Sequence, residues 1–165
     1  MLDTAPQELL TLAEALVALL LGGLVGFERE AAGKWAGIRT HMLVCLSAFL
    51  FVELGQLVTA ASAQVWAGAG VPEGALSADP VRIIQAVVVG ISFVGAGAVF
   101  RDPDRNVARG LTTAATLLVV APVGVAVALG RYVLAAGVAV LVVALLRVLG
   151  RVERRVFGPG HGDVD

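Results

Sequence analysis

The chain has 165 residues, of which 58% are hydrophobic and only 15% are charged. A soluble domain usually has about a quarter of its residues charged, so the excess of apolar residues indicates a membrane protein. Twelve basic and thirteen acidic residues leave a net charge of -1, which argues against nucleic-acid binding, and the single Cys45 cannot form an internal disulfide.

Five apolar runs of helix-spanning length follow one another along the chain. They predict an all-α, polytopic membrane protein with helices at about residues 9–27, 40–61, 82–100, 110–130 and 131–149. The uncharged core of the fifth run is short for a bilayer, so the arginines that flank it are expected to reach the interface. Residues 62–81 are expected to form a polar connection, and residues 151–165 a short cytoplasmic tail after a membrane domain at residues 1–150.

The basic residues predict the orientation of this domain, because short cytoplasmic loops are enriched in lysine and arginine. Two of the twelve, Arg82 and Arg131, lie on one predicted side of the membrane. The other ten lie on the opposite side: Arg29, Lys34, Arg39, Arg101, Arg105, Arg109, Arg147, Arg151, Arg154 and Arg155. We therefore expect the N-terminus outside and the C-terminus in the cytoplasm.

Glycines occur where helices need to approach each other closely. Gly22 and Gly26 form a GxxxG pattern in the first predicted helix, and Gly90, Gly95 and Gly97 lie in the third. Small residues at such spacing let helix backbones pack together, either inside one bundle or between two copies. We expect a homodimer with the first or third helix at the interface, and packing within one chain is the alternative.

Charges of both signs are concentrated at the predicted cytoplasmic ends of the helices. The expected charge cluster consists of Glu28, Arg29, Arg39, Asp102 and Arg109. A carboxylate at the membrane edge is costly without a partner, so Glu28 is expected to pair with Arg39 or Arg109. Interfacial anchoring by exposed ion pairs is the simpler interpretation, because such pairs contribute little to stability.

Two further acidic residues, Glu14 and Glu53, fall at membrane depth in the predicted first and second helices. The predicted topology places both nearer the outer face, where their side chains could meet. Intramembrane carboxylates are often part of an ion pathway, although Glu14 could instead reach interfacial water. Both roles remain open for these residues.

Other chemical motifs do not favour a catalytic or metal site. His41 and Cys45 are four residues apart on a predicted helix, but no third zinc ligand accompanies them. The serines and threonines have no nearby His/Asp pair in the sequence, and no glycine-rich phosphate loop is present. We therefore predict a protein that is not an enzyme, with no catalytic residues, metal or cofactor.

Four segments in order resemble the membrane domain of the MgtC/SapB family: GGLVGFERE at 22–30, GIRT at 37–40, GISFVGAG at 90–97 and GLTTAAT at 110–116. The polar residues of these motifs include Thr40, Thr112 and Thr113. The resemblance covers about residues 10–150 and implies a bacterial inner-membrane protein linked to magnesium limitation and, in pathogens, to virulence. It also implies the ATP synthase as a membrane partner. The chain resembles a minimal form of the family, without its soluble C-terminal domain.

Two functions are consistent with these observations. The first is a non-enzymatic regulator in the lipid bilayer, related to magnesium limitation, whose cytoplasmic charge cluster acts on another membrane protein. The alternative is a cation transporter or channel, with magnesium as one candidate ion, that works as an oligomer because five helices leave little room for a pore.

Overall fold

The computed structural model describes residues 5–68, 80–102 and 107–157. Within them the chain forms five helices: α1 (Ala5–Ala31), α2 (Ile38–Gly68), α3 (Pro80–Gly97), α4 (Leu111–Ala128) and α5 (Tyr132–Phe157). Two short strands, β1 (Phe100–Asp102) and β2 (Val107–Arg109), pair antiparallel between α3 and α4. Their register places Phe100 opposite Arg109.

The helices have the length and composition of membrane spans. Among the described residues, four helices (α1, α2, α4 and α5) are long and apolar enough to cross a bilayer, and α3 contains a shorter apolar helix, Val81–Gly97. The hydrocarbon core of a bilayer offers no hydrogen-bond partners to backbone N–H and C=O groups, whereas a helix pairs these groups internally. The prediction of an all-α, multi-pass membrane protein is therefore confirmed, with the small hairpin as an addition to it.

Several predicted boundaries differ from those observed. Helix α2 continues to Gly68 and α3 ends at Gly97, so Phe100 belongs to β1 rather than to a helix. The fifth helix, predicted at about residues 131–149, extends further: α5 is 26 residues long and includes residues 151–157 of the expected tail. Residues 69–79 of the expected connection and 158–165 of the tail lie outside the described residues.

Helix α4 lies at the centre of the bundle. Half of its apolar span is buried, against 17–28% for α1, α2 and α5, and it contacts all four other helices. All five helices contribute to the core, and its largest fully buried apolar side chains come from α1, α2 and α4: Phe49, Leu117, Val25 and Val120. The sequence of α4 is apolar around most of its circumference, as a central membrane helix requires.

Two glycines end helices in the same way. Gly33 follows α1 with φ 69°, and Gly130 follows α4 with φ 67°, a conformation that glycine adopts without a steric penalty. After α1, the Lys34 N–H donates to the Arg29 carbonyl at 3.0 Å, and after α4 the Arg131 N–H donates to the Ala126 carbonyl at 2.8 Å. This Schellman pattern satisfies the last helical carbonyls and reverses the chain.

The GxxxG glycines of α1 are used inside the chain. A Cβ added at Gly22 would lie 2.7 Å from Cys45 Cβ, and one at Gly26 would lie 2.7 Å from Ile38 Cα, both on α2. The first helix is therefore not available as a dimer interface through these two residues. On α3, by contrast, a Cβ at Gly90 or Gly97 would meet nothing within 4 Å.

Candidate functional site

A buried ion pair lies at the last turns of α1. Arg29 Nε donates to Glu28 Oε2 at 2.6 Å, and the side chains of Arg29 and Glu28 are only 5% and 8% exposed. Neighbouring residues on a helix point about 100° apart, so both can be buried only because the bundle covers α1 on two sides. Arg29 is thus a partner of Glu28 that the sequence did not predict, and Arg39, one of the two expected partners, is exposed.

A histidine that is fully buried joins α2 to α4 beside this pair. The His41 ring donates from Nδ1 to the Gly37 carbonyl at 2.9 Å, and its Nε2 lies 3.2 Å from Thr116 Oγ1. A carbonyl only accepts, so Nδ1 carries the proton and Nε2 of the neutral ring is an acceptor. The charges of Glu28 and Arg29 also act on the ring. The spacing of His41 and Cys45 suggested a zinc ligand, whereas the role of His41 in joining two helices was not predicted.

The threonines of the fourth-helix motif lie around this histidine bond. The Thr116 hydroxyl donates to the Thr113 carbonyl at 2.9 Å. Its single proton is therefore shared between two acceptors, the Thr113 carbonyl and His41 Nε2. The Thr113 hydroxyl is itself buried, and among the described residues it has no hydrogen-bond partner. Thr40 and Thr112 are half-buried.

The five residues of the predicted charge cluster occupy different environments. Glu28 and Arg29 are buried in the bundle, Arg39 is exposed at the start of α2, and Arg109 is half-buried on β2. Asp102 ends β1, but its side chain lies outside the described part of the structure. The hairpin contacts the α1–α2 loop, because Phe100 stacks edge-on against Trp35 with ring centroids 5.6 Å apart.

A second polar cluster brings together the two intramembrane glutamates. Tyr132 Oη donates to Glu14 Oε1 at 2.5 Å, and Glu53 is close enough to interact electrostatically with both Glu14 and Tyr132. Tyr132 was not among the predicted site residues. Its position at the start of α5 was the available signal, because tyrosine is enriched where membrane helices meet the interface.

An apolar layer separates these two polar clusters. The clusters are about 21 Å apart along α1, since Glu14 precedes Glu28 by fourteen residues at about 1.5 Å per residue. Fully or nearly fully buried side chains from three helices fill the interval: Ala18, Val25, Cys45, Phe49, Leu117 and Val120. These buried apolar side chains therefore lie between the two polar clusters inside the bundle.

The described residues do not assemble a metal centre of the usual kind. In residues 5–68, 80–102 and 107–157, no group of three or more His, Cys, Asp or Glu side chains is arranged to hold a metal ion. The site is best described as a buried charge and hydrogen-bond cluster (Glu28, Arg29, His41, Thr113 and Thr116) at the end of the bundle that also carries Lys34 and Arg39. We call this end the basic end.

The fold and the buried cluster define a multi-pass helical membrane protein with ionisable groups packed between its helices. The sequence model of the MgtC family matches residues 15–155. The chain belongs to the MgtC family, as the four sequence motifs predicted.

Named relatives share much of this sequence. The chain is similar to Protein MgtC of Brucella abortus (strain 2308), with 41% identity over 164 residues that cover 90% of this chain and 61% of the relative. It is 35% identical to Protein MgtC of Salmonella typhimurium (strain LT2), over 86% of this chain and 53% of the relative.

A third relative is YhiD of Escherichia coli (strain K12), whose name proposes it as a magnesium transporter. It is 31% identical, over 90% of this chain and 66% of the relative. The chain spans about three fifths of the length of the Brucella relative, 61%. No solved structure matches this chain.

Proposed function

We propose that this protein is a non-enzymatic membrane regulator in a magnesium-related process, and that its basic end contacts another membrane protein. The apolar layer between the two polar clusters is the observation that carries this proposal. A transporter needs groups that exchange ions with water along a path, whereas Phe49, Leu117 and Val120 fill the middle of this bundle. Family membership, together with the name of the relative YhiD, supports the link to magnesium.

The contact surface in this proposal is the exposed part of the basic end. Trp35 is 78% exposed and Arg39 is exposed at the first turn of α2. Tryptophan and arginine are enriched in the residues that dominate protein interfaces. The His41–Thr116 bond joins α2 to α4 beneath this surface, and the Glu28–Arg29 pair is buried in the last turns of α1 beside it. In this proposal their role is to keep the surface in shape. The ATP synthase, which the family resemblance implies, is one candidate partner.

Growth under magnesium limitation tests this function in the cell. The wild type and its variants would be returned to a host from which the gene has been deleted, with the amount of protein in the membrane measured for each. We expect Trp35→Ala and Arg39→Gln to lower growth at unchanged membrane levels. Arg131→Gln is the matched control, because Arg131 is also exposed and basic but lies at the opposite end of the bundle, just before α5.

Purification from the same membranes identifies the partner. A membrane protein that copurifies with the wild type and with Arg131→Gln, but not with Arg39→Gln, is the expected result. Wild-type growth and an unchanged set of copurifying proteins for both Trp35→Ala and Arg39→Gln would contradict the proposal.

A cation transporter that works as an oligomer is the second candidate, and the second polar cluster is the observation that favours it. Glu14, Glu53 and Tyr132 place two carboxylates and a phenol together within the membrane helices, and such groups often mark ion routes. The packed core requires this route to run between subunits. Cation flux into liposomes that contain only this protein, abolished by Glu53→Gln and retained by Gln85→Ala, would favour transport over regulation.

A further inference from the structure

A lateral groove opens between α2 and α3 at the basic end of the bundle. Its volume is about 840 Å³, within the range of about 300–1,000 Å³ that is usual for ligand sites. Its apolar wall combines side chains from both helices: Leu43, Val44, Phe51, Val87, Ile91 and Val94. Gly90 contributes to the α3 side, where no atom lies within 4 Å of the position a Cβ would take.

The two helices that form the groove touch at one end and separate at the other. Toward the far side of the bundle, the Ile83 side chain packs directly against Gly55 of α2 and closes the gap. Toward the basic end, α3 instead packs on α4, where Gly95 lies against Ala114. The groove is therefore closed at depth and open at the basic end.

The mouth of the groove carries an excess of positive charge. Lys34 and Arg39 line it together with one carboxylate, that of Glu30. The Glu30 carboxylate accepts the backbone N–H of Ile38 at 2.9 Å, so it is engaged at the start of α2. Trp35 also lines the mouth, and tryptophan marks the membrane–water interface. The mouth thus suits an anionic group at the level of lipid headgroups.

The length of the groove corresponds to one leaflet of a bilayer. Along the α2 wall, Phe51 follows Arg39 by twelve residues, a distance of about 18 Å at about 1.5 Å per residue. Half of a hydrocarbon core is about 15 Å. A transmembrane helix of a partner or a second copy would have to continue past this depth, where Ile83 on Gly55 closes the gap. An acyl chain of one leaflet, by contrast, ends near the middle of the bilayer, at the depth where the groove closes.

From these observations we infer that the groove is a binding site for one anionic phospholipid. The phosphate lies at Lys34 and Arg39, and an acyl chain extends along the apolar wall past Gly90. Basic pockets between membrane helices are the usual sites for such headgroups. This inference does not depend on the proposed regulatory function, since binding is measured on the purified protein alone.

Native mass spectrometry of the full-length, delipidated protein in detergent tests the inference. Phosphatidylglycerol and phosphatidylcholine with identical acyl chains would be titrated separately. We expect one tightly retained phosphatidylglycerol and several-fold weaker binding of phosphatidylcholine. Lys34→Gln and Arg39→Gln should each weaken phosphatidylglycerol binding about fivefold and leave phosphatidylcholine binding unchanged.

A bulky side chain placed in the groove tests whether an acyl chain binds along its apolar wall. Gly90→Leu should weaken the binding of both lipids, whereas Gly137→Leu should behave as the wild type, because Gly137 also has open space around it but lies on α5 outside the groove. Thermal unfolding would establish that both variants fold, and the two charge variants test the site independently of this substitution.

Three results would overturn the inference, and two of them concern lipid binding. One is equal binding of the two lipids by the wild type, and the other is undiminished lipid retention by folded Gly90→Leu. A two-chain mass that Gly90→Leu converts to one chain would also overturn it, by assigning the groove to a second copy of the protein.

Discussion

His41 Nε2 lies 3.2 Å from Thr116 Oγ1, so the one histidine in the described residues joins the first turns of α2 to those of α4. Both residues are buried. A buried polar group that loses its partner pays its full desolvation cost, which makes this bond a sensitive point in the packing of the central helix.

Thr116→Val should destabilise the protein. Valine preserves the shape of the side chain but leaves His41 Nε2 without its partner, and the expected loss is about 1–3 kcal/mol in the free energy of unfolding. Thermal or denaturant unfolding in detergent measures this loss. Thr116→Ser, which keeps the hydroxyl, is the control and should stay closer to the wild type. Equal stability of the valine and serine variants would show that the bond contributes nothing.

Glu28→Gln should also lower stability, by about 3–5 kcal/mol, because it leaves the Arg29 guanidinium as a buried charge without its counterion. Arg29→Gln should do the same to the Glu28 carboxylate. The double variant removes both charges, so its loss should be smaller than the sum of the two single losses. A double-mutant cycle from unfolding curves measures this coupling, and strictly additive losses would contradict the ion pair.

Substitution of Gly124 by alanine should prevent normal packing of α2 on α4. The added Cβ would collide with the Cys45 carbonyl and lie 3.1 Å from the Phe49 nitrogen, and neither backbone atom can move without shifting α2. Overpacking of this kind costs about 1–3 kcal/mol or more. Gly137→Ala is the matched control, because nothing lies within 4 Å of its Cβ position. The yield of monodisperse protein and its melting temperature compare the two.

The homodimer remains a prediction, and the structure narrows where its interface would lie. With Gly22 and Gly26 packed on α2, α3 is the remaining candidate, since Phe93 and Val89 are 82% and 70% exposed there. Gly97→Leu should then convert a dimer to a folded monomer, as measured by light scattering corrected for detergent. Gly22→Leu should instead abolish folding. A wild-type mass of one chain would exclude the dimer.

The boundaries of α5 show why helix ends were harder to predict than helices. Arg147, Arg151 and Arg155 interrupt the apolar run and suggested an end near residue 149, but they are spaced four residues apart. That spacing keeps the charges on one helical face while Val148, Val152 and Val156 line another. The helix therefore continues to Phe157 as an amphipathic segment. The β1–β2 hairpin was missed because strands of three residues are too short to show periodicity.

A multi-pass helical protein could be predicted from the chain alone, because long apolar runs cannot be stable in water and in lipid they must form helices. The four ordered motifs predicted the MgtC family. The contacts between particular groups depended on how the helices pack. The α1 glycines could have faced another copy, and Glu28 could have paired with any nearby arginine, because helical periodicity specifies a face of the helix but not the neighbour that covers it. The packing of α1, α2 and α4 determines the neighbours of Gly22, of the Glu28–Arg29 pair, and of His41 and Thr116. The divergence of α2 from α3 opened the groove, which no local pattern in the chain records.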